Sequence, residues 1–231
     1  LELYFLFSKE HKKRVEHENV YIRTFVTKIN DIFQTQKDIL NVIFTFLDAS
    51  EWNPGETAHT SEGILNAEML KTLLKEQASK VETYWNETHA DEPISAFVFL
   101  STETIMKETG QSQTGINGRI GGICLTGEKV AAATDDGSYS GVRNAAIQLS
   151  LLMGAVYDGE SPPGSEFVIG SDGAQDCDPN EGFLMGKWGR DQKSFSLSEC
   201  SPYQFIFGLR QRGPECYGTA DEKKKLVKPS K

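Results

Sequence analysis

Residues 137–160 have the sequence GSYSGVRNAAIQLSLLMGAVYDGE. A helix-forming run in this segment is followed by Gly154 and Gly159. Its residues from Val142 to about Met153 have a helical composition. Gly154 is placed to end that helix, because glycine readily takes the positive φ of a helix C-terminus. The segment contains no histidine. None of the four histidines of the chain lies beyond His89, so residues 90–231 contain no imidazole.

The composition is that of one folded domain. The 231 residues are 38% hydrophobic and 10% aromatic, which is enough to build a core. Acidic residues exceed basic ones by 33 to 24, which gives a formal charge of −9. This balance argues against a nucleic-acid partner, since that affinity comes mainly from clustered Lys and Arg. No apolar run approaches the roughly 20 residues that a bilayer-crossing helix needs, so we expect no transmembrane segment.

The first hundred residues alternate between strand and helix patterns. Leu1–Phe7 and Ile94–Leu100 are apolar runs of strand length, and Leu40–Leu47 reads as a further strand. Val20–Phe33 carries apolar residues at helical spacing, and Asn66 is positioned to cap a second helix. This alternation predicts an α/β domain in which helices cover a largely parallel sheet.

The elements predicted in the second half are shorter. Ile116–Leu125 is rich in glycine and indicates an edge strand or a bulged loop, and Lys129–Asp135 indicates a short strand. Residues 158–182 contain many Gly and Pro residues, which is typical of irregular chain. Ser201 and Pro202 are expected to open a last helix, because proline suits the first helical position.

The last eleven residues, DEKKKLVKPSK (221–231), contain five Lys and two acidic residues. This composition favours a solvated, disordered tail or an expression remnant, and a basic anchor for anionic surfaces is the alternative. We therefore predict one domain over residues 1–220, followed by a basic tail over residues 221–231.

Cysteine usage indicates an oxidising environment. No CxxC pair is present, so disulfides are favoured over a clustered zinc site, and disulfides imply a secreted, extracellular protein. The four cysteines are Cys124, Cys177, Cys200 and Cys216. Asn86 begins the N-glycosylation sequon Asn-Glu-Thr, which agrees with secretion and predicts a glycoprotein.

The second half of residues 137–160 resembles a motif of a known protein family. Gly154 and the pair Asp158-Gly159 fix its register against the motif HExxHxxGxxHD. In this register the segment resembles the zinc helix of reprolysin-type (adamalysin) metalloproteases, which are metzincins. It is most similar to secreted arthropod members such as those of tick saliva.

Other segments extend the resemblance over roughly residues 1–216. LELYFLF (1–7) resembles the opening strand of the family, and GGICLTGEKVAAATDD (121–136) resembles its edge strand and the approach to the active-site helix. Gly182–Gly186 looks like the Met-turn, with Met185 as its methionine, and SFSLSECSPYQF (194–205) resembles the entry to the final helix.

The resemblance implies a fold and a set of crosslinks. The fold is a mixed, mostly parallel twisted sheet with covering helices and an irregular C-terminal subdomain that contains the Met-turn. The implied disulfides are Cys124–Cys216 and Cys177–Cys200. Four cysteines allow three pairings, so this assignment depends on the family.

The residues at the catalytic positions of the motif do not suit zinc chemistry. The three ligand positions hold Ile147, Leu151 and Tyr157, and Gln148 stands in place of the general base. We call these four residues the motif positions. Ile and Leu have no lone pair, a glutamine amide takes up no proton near neutral pH, and a phenol has a reference pKa of about 10. We therefore expect no zinc, no other cofactor and no catalytic residue in this chain.

These substitutions predict a secreted pseudoenzyme that binds a protein, with a former cleft formed by Ile147, Leu151 and Tyr157. Proteins of host haemostasis or immunity are the expected partners if the source is a blood-feeding or venomous animal. Ile147 and Leu151 form either the floor of an apolar groove or ordinary core in place of the metal. A metalloendopeptidase with atypical ligands and a structural or decoy protein are the alternative functions.

Three further motifs have a simple explanation. Asp176–Asn180 has alternating oxygen donors but lacks the glycine of an EF-hand loop, so an ordinary loop is favoured. Asp135 and Asp136 are adjacent at a strand end, where they point to opposite faces, and a solvated turn is expected. The tripeptide Asn117–Arg119 is of a type found in adhesion ligands, and a turn in a Gly-rich loop explains it.

Overall fold

The computed structural model describes residues 1–187, 189 and 191–217, so the predicted tail and the boundary at residue 220 lie outside the described residues. The strands are β1 (Glu2–Phe7), β2 (Thr45–Glu51), β3 (Leu65–Asn66), β4 (Ala96–Ser101), β5 (Ile105–Met106), β6 (Ser112–Gln113), β7 (Gly115–Asn117) and β8 (Val130–Thr134). The α-helices are α1 (Lys9–Arg14), α2 (Glu18–Phe33), α3 (Ala67–Thr88), α4 (Val142–Leu152) and α5 (Cys200–Arg210). Short 3-10 turns occupy Gln34–Gln36, Glu56–Ala58, Pro179–Glu181 and Gln192–Phe195.

The main sheet has five strands in the order β2-β1-β4-β8-β7. The first four are parallel, and β7 is antiparallel to β8 at one edge. A small second sheet has the order β3-β5-β6. The predicted α/β class with a mixed, mostly parallel sheet is confirmed.

The main sheet separates two apolar layers. Alternate residues of β1 point to opposite faces. Leu3 and Phe5 therefore pack in the layer that contains α2 and α4, whereas Tyr4 and Leu6 pack in the layer that contains α3. Because both faces are covered, the strands read as continuous apolar runs, as is usual for parallel sheets.

The predicted strand Leu40–Leu47 is wrong in position, because the observed strand β2 begins only at Thr45. Val42 and Phe44 are buried in the chain that precedes it. The side chain of Asn30 donates to the Phe44 carbonyl at 2.9 Å and accepts from the Phe44 amide at 2.8 Å. The side chain of Asn30 in α2 thus makes the hydrogen bonds to the Phe44 backbone that a neighbouring strand would otherwise make. An apolar pattern in the sequence cannot reveal this.

Other local predictions agree with the structure in part. Asn66 caps α3, with its side chain accepting from the amide of Met69 at 3.0 Å. The Gly-rich segment 116–125 contributes the end of a three-residue edge strand and then turns. Helix α1 was not predicted, because it is short and polar and has no apolar stripe; it begins at a cap formed by Ser8.

The pair Asp135 and Asp136 corrects the expectation of a solvated turn. Asp136 is exposed, as expected, but Asp135 is fully buried. The two side chains do point to opposite faces, and the inner one is held by a set of hydrogen bonds described below.

The C-terminal part consists mostly of turns between α4 and α5. Two disulfides join it to the rest, Cys124–Cys216 and Cys177–Cys200, the same pairing that the resemblance implies. In the part of the chain that the structure describes, no helix is long and apolar enough to cross a membrane.

Candidate functional site

Helix α4 carries three of the four motif positions and lies in the protein interior. It packs against β7, β8 and α2, and it is buried on nearly every side, as expected of a core helix. Ile147 is 7% exposed, Leu151 is 6% exposed, and Gln148 is also buried. Ile147 and Leu151 belong to the same apolar cluster as Met185.

The chain turns sharply after α4 at Gly154. This residue has φ +104°, which L side chains rarely adopt. A Cβ at this position would lie 3.1 Å from the Cα of Gly208 in α5. Glycine is therefore required both by the backbone conformation and by the close approach of α5, and the turn directs the chain to Tyr157.

Tyr157 is the exposed member of the motif positions, at 38%. The phenol is still partly buried, and this burial raises its pKa; the charge of Glu160 adds to the increase, while Arg143 opposes it. The phenol is therefore neutral at physiological pH, and a neutral phenol is a weak metal ligand.

The motif positions do not fit a catalytic zinc ion. Such an ion needs three protein donors and an open fourth position. Ile147 and Leu151 offer no lone pair, so at most Tyr157 remains. Among the residues that the structure describes, no group of three His, Cys, Asp or Glu side chains is arranged to hold a metal ion.

Gln148, at the general-base position, is bound to the edge strand. Its Oε1 accepts a 2.9 Å hydrogen bond from Nδ2 of Asn117 in β7. A Cβ on Gly115 would lie 3.0 Å from Cγ of Gln148, so glycine permits this close contact between strand and helix. The side-chain amide of Gln148 thus joins α4 to β7 by a hydrogen bond. This structural role does not require the side chain to take up a proton, as a general base must.

The edge strand β7 has one side free of ladder bonds. Thr134 N donates to Thr114 O, and Gly118 N donates to Val130 O. In an antiparallel ladder this pattern turns the backbone groups of Gly115 and Asn117 away from β8. They are the groups with which an added strand would pair.

The predicted Met-turn lies against the turn after α4. Met185 is fully buried, and its carbonyl accepts from the amide of Asp158 at 3.0 Å. Asp158 is also buried, and its Oδ1 accepts from the Ser198 hydroxyl at 2.6 Å, while its Oδ2 has no hydrogen-bond partner. Burial raises the pKa of this carboxyl, Ser198 lowers it, and Glu181 adds to the increase.

Arg143 is a structural residue that the sequence analysis missed. It is buried at the start of α4 and donates to the carbonyls of Ser194 and Leu184, each at 3.2 Å. These bonds join α4 to the segment that contains Met185, and burial lowers the pKa of the guanidinium. One signal could have found it, since it is the one charged residue in the sequence of α4.

A buried polar cluster lies where the chain enters α4. Asp135 accepts from His11 Nε2 at 2.7 Å, from the Tyr21 hydroxyl at 2.6 Å and from the Gly141 amide at 2.7 Å. These donors outweigh desolvation and hold the pKa of the Asp135 carboxyl below its usual value. The ring of Tyr21 also stacks on Tyr139, with 4.2 Å between ring centroids. No sequence pattern connects His11 with Asp135, because the two residues are 124 positions apart.

The acidic segment Asp176–Asn180 is built as an ordinary capped turn. Asp178 accepts from the amide of Asn180 at 2.8 Å and begins the 3-10 turn Pro179–Glu181. Its carboxylate is thus used as a local cap, and this hydrogen bond lowers its pKa.

Two relatives match part of the sequence, and no family model matches the chain. A disintegrin and metalloproteinase with thrombospondin motifs-like protein of Bombyx mori is 35% identical over 92 residues, which are 37% of this chain and 13% of that protein. The venom metalloproteinase antarease-like TtrivMP_A of Tityus trivittatus is 35% identical over 81 residues, which are 35% of this chain and 20% of that protein. The matches therefore span no more than a fifth of either relative.

Solved structures share the fold over most of the chain at low sequence identity. Archaemetzincin from Methanopyrus kandleri has a TM-score of 0.53 and 12% identity, covering 91% of this chain and 96% of that one. A zinc-dependent peptidase from Methanocorpusculum labreanum has a TM-score of 0.50 and 12% identity, covering 87% of this chain and 99% of that one. The chain therefore has the fold of these zinc metallopeptidases, and over about a third of its length it is similar in sequence to proteins named as metalloproteinases.

Proposed function

We propose that this domain is a catalytically inactive metalloprotease homologue that acts as a secreted binding protein. The observation that carries the proposal is the chemistry of α4, where Ile147 and Leu151 hold the ligand positions of the motif. Both side chains are buried and belong to the same large apolar cluster as Met185. An apolar core thus takes up the place at which the motif requires metal donors.

The other two motif positions support the same proposal. The Oε1 of Gln148 is engaged by Asn117, and a glutamine amide has no basicity near neutral pH. The phenol of Tyr157 has a raised pKa, so its metal-binding phenolate is disfavoured. Recovery of the usual mechanism would require changes at all four positions.

The binding surface that we propose lies along β7 and Tyr157. Ile147 and Leu151 are too buried to be its main contacts, so they support the surface from beneath. Tyr157 offers an exposed aromatic ring, and the backbone of Asn117 faces away from β8. Addition of an extended segment to a sheet edge is a common mode of peptide recognition.

Secretion and partner class are parts of this proposal. Two disulfides favour an oxidising compartment, and one relative is a venom metalloproteinase. Asn86 is exposed near the end of α3, so a glycan at its sequon would meet solvent. Host proteins of haemostasis or immunity are the partners that we propose, and a structural or decoy role is the alternative without a specific partner.

The competing function is a metalloendopeptidase with atypical ligands, which the names of both relatives favour. Elemental analysis of the purified full chain separates the two. We expect far less than one zinc per chain and no chelator-sensitive peptidase activity. A stoichiometric metal together with such activity would reject the proposal.

A second experiment tests the binding surface. The chain is immobilised and exposed to plasma, and saturable binding is compared between Tyr157→Ala and the control Tyr84→Ala. Tyr84 is 69% exposed and lies on α3, on the other face of the sheet. We expect loss of binding only for Tyr157→Ala; equal binding by both variants would place the surface elsewhere, and no saturable partner would favour the decoy role.

A further inference from the structure

Two guanidinium groups lie at one turn just beyond β7. The turn runs from Arg119 to Gly122 and is closed by a 3.0 Å hydrogen bond from Gly122 N to Arg119 O. Nε of Arg212, from the chain after α5, donates to the carbonyl of Gly121 at 3.1 Å. One tight turn thus positions both arginines.

Neither arginine has an acidic partner within 4 Å in the part of the chain that the structure describes. Arg119 donates from Nη2 to the backbone carbonyl of Glu166 and lies over the ring of Phe167. Its Nε is buried and has no hydrogen-bond partner. Glu128, whose backbone lies against Gly122, has its carboxylate paired with Lys75 at 2.7 Å.

Two like charges close together, with no counter-charge within 4 Å among the described residues, are electrostatically unfavourable. Burial lowers the pKa of Arg212, and the charge of Arg119 lowers it further. An oxyanion placed between the two groups would offset this repulsion and would accept hydrogen bonds from their unused N–H groups. Arginine suits this role because its planar fork matches the oxygens of carboxylate, sulfate and phosphate.

A purely structural role at the end of α4 is a weaker explanation. The amide of Gly121 donates to the carbonyl of Leu151, and the amide of Ile123 donates to that of Leu152. The last carbonyls of α4 are therefore already satisfied by backbone groups. A basic side chain adds only about 0.3–1 kcal/mol at an exposed helix C-terminus, and one arginine would supply it.

The position of the pair connects it with the proposed binding surface. Arg119 follows Asn117 by two residues, and Asn117 contacts Gln148 of α4. Strand β7 ends at Asn117, Gly118 is a bend, and Arg119 begins the turn that follows. The guanidinium pair therefore lies at the end of the edge along which a bound segment would run.

We infer that Arg119 and Arg212 form an oxyanion-binding site that takes the carboxylate of an acidic residue in a protein segment bound along β7. The identity of this partner rests on the proposed binding function. The anion site itself does not, because it is a property of the two arginines alone.

The first experiment uses inorganic sulfate as the probe. Nε–Hε signals of arginine are followed by NMR in the full chain while sodium sulfate replaces sodium chloride at constant ionic strength. We expect saturable shifts for Arg119 and Arg212, and sulfate binding at least about tenfold weaker in Arg119→Gln and in Arg212→Gln. The matched control is Arg23→Gln, since Arg23 also lies over an aromatic ring, that of Phe46.

Two results would overturn the site. One is shifts that stay linear in sulfate concentration, and the other is an equal loss of binding in the Arg23 control. If Arg212→Gln does not fold, Arg212→Lys keeps the charge but loses the fork, and it must still weaken sulfate binding.

The second experiment identifies the source of the oxyanion. The peptides Ac-AVAEAV-NH2 and Ac-AVAQAV-NH2 and a heparin hexasaccharide compete with bound sulfate. We expect displacement by the Glu peptide and none by the Gln peptide. Displacement by the hexasaccharide alone would replace the acidic segment with a sulfated polysaccharide as partner. The zinc measurement above does not depend on either result, so failure of this inference and failure of the proposed function are distinguishable.

Discussion

Nε2 of His11 lies 2.7 Å from Oδ2 of Asp135, and this contact fastens the first helix to the entrance of α4. An ionised carboxylate only accepts hydrogen bonds, so the histidine nitrogen is the donor. The hydroxyl of Tyr21 and the amide of Gly141 donate to the same carboxylate. Segments far apart in sequence are thus joined by one buried anion, and this polar cluster positions the helix that carries the motif.

Replacement of Asp135 by Asn should destabilise the domain strongly. Asn is uncharged, so the hydrogen bonds that His11 and Tyr21 donate to a buried carboxylate are lost, and a hydrogen bond to a charged group is worth about 1.5–3 kcal/mol. Urea denaturation at pH 7 measures this free energy. Asp136→Asn is the control, because Asp136 is exposed and bonds locally to Ser138 and Ser140, and it should cost about 1 kcal/mol or less. Equal costs for the two variants would contradict the role of the buried cluster.

The contribution of Asp135 should also depend on pH. Its pKa is lower in the folded protein than in the unfolded chain, so ionised Asp135 stabilises the fold above the ordinary carboxyl pKa of about 3.9. This contribution is lost as the pH falls through the lower folded value. The difference in unfolding free energy between the native protein and Asp135→Asn should therefore shrink from pH 5 towards pH 2. A difference that stays constant over this range would show that the charge contributes nothing.

Asp158 should show the opposite pH dependence. Its pKa is raised by burial, so the ionised form is disfavoured in the folded protein. The native protein should gain stability relative to Asp158→Asn as the pH falls from 7 through the raised folded value towards 4. Asn keeps an oxygen that accepts from Ser198, which makes it a close match. Thermal unfolding at several pH values measures the trend, and a gain on raising the pH would refute it.

Gly154→Ala tests the turn after α4. The added Cβ meets the Cα of Gly208 at 3.1 Å, and φ is +104°, so the variant should lose about 2–3 kcal/mol. Gly127→Ala is the matched control, since its φ is +80° but a Cβ there meets nothing within 4 Å. That variant should lose about 1 kcal/mol from backbone strain alone. Chemical denaturation compares the two, and an equal loss would mean that the approach of α5 is unimportant.

The two disulfides should stabilise the domain unequally. Cys124–Cys216 closes a loop of 92 residues, and Cys177–Cys200 closes one of 23. In the chain-entropy argument these loops are worth about 5 and about 3 kcal/mol. Paired Cys→Ser variants compared by denaturation should follow this order. The reverse order would indicate that local packing outweighs the restriction of the unfolded chain.

Much of the fold followed from local patterns. Apolar runs and helical stripes such as that of Val20–Phe33 predict the alternation of strands and helices, because the period of a buried face is written in neighbouring residues. The prediction of a strand at Leu40–Leu47 was wrong in position because it used only this local pattern. Whether Phe44 pairs with a strand or with the side chain of Asn30 depends on residues that are distant in the chain, and no period records this choice.

The features of the candidate site also fall into two groups, those that the residue types determine and those that depend on the folded structure. Sequence alone determined which atoms stand at the motif positions, and therefore that Ile147 and Leu151 bring no metal donor, because lone pairs belong to the residue type. Only the tertiary structure decided that these side chains are core, that Asp135 is a buried anion held by His11, and that Arg119 and Arg212 share one turn. Burial and charge pairing depend on contacts between segments more than 90 residues apart, and such contacts exist only once the chain has folded.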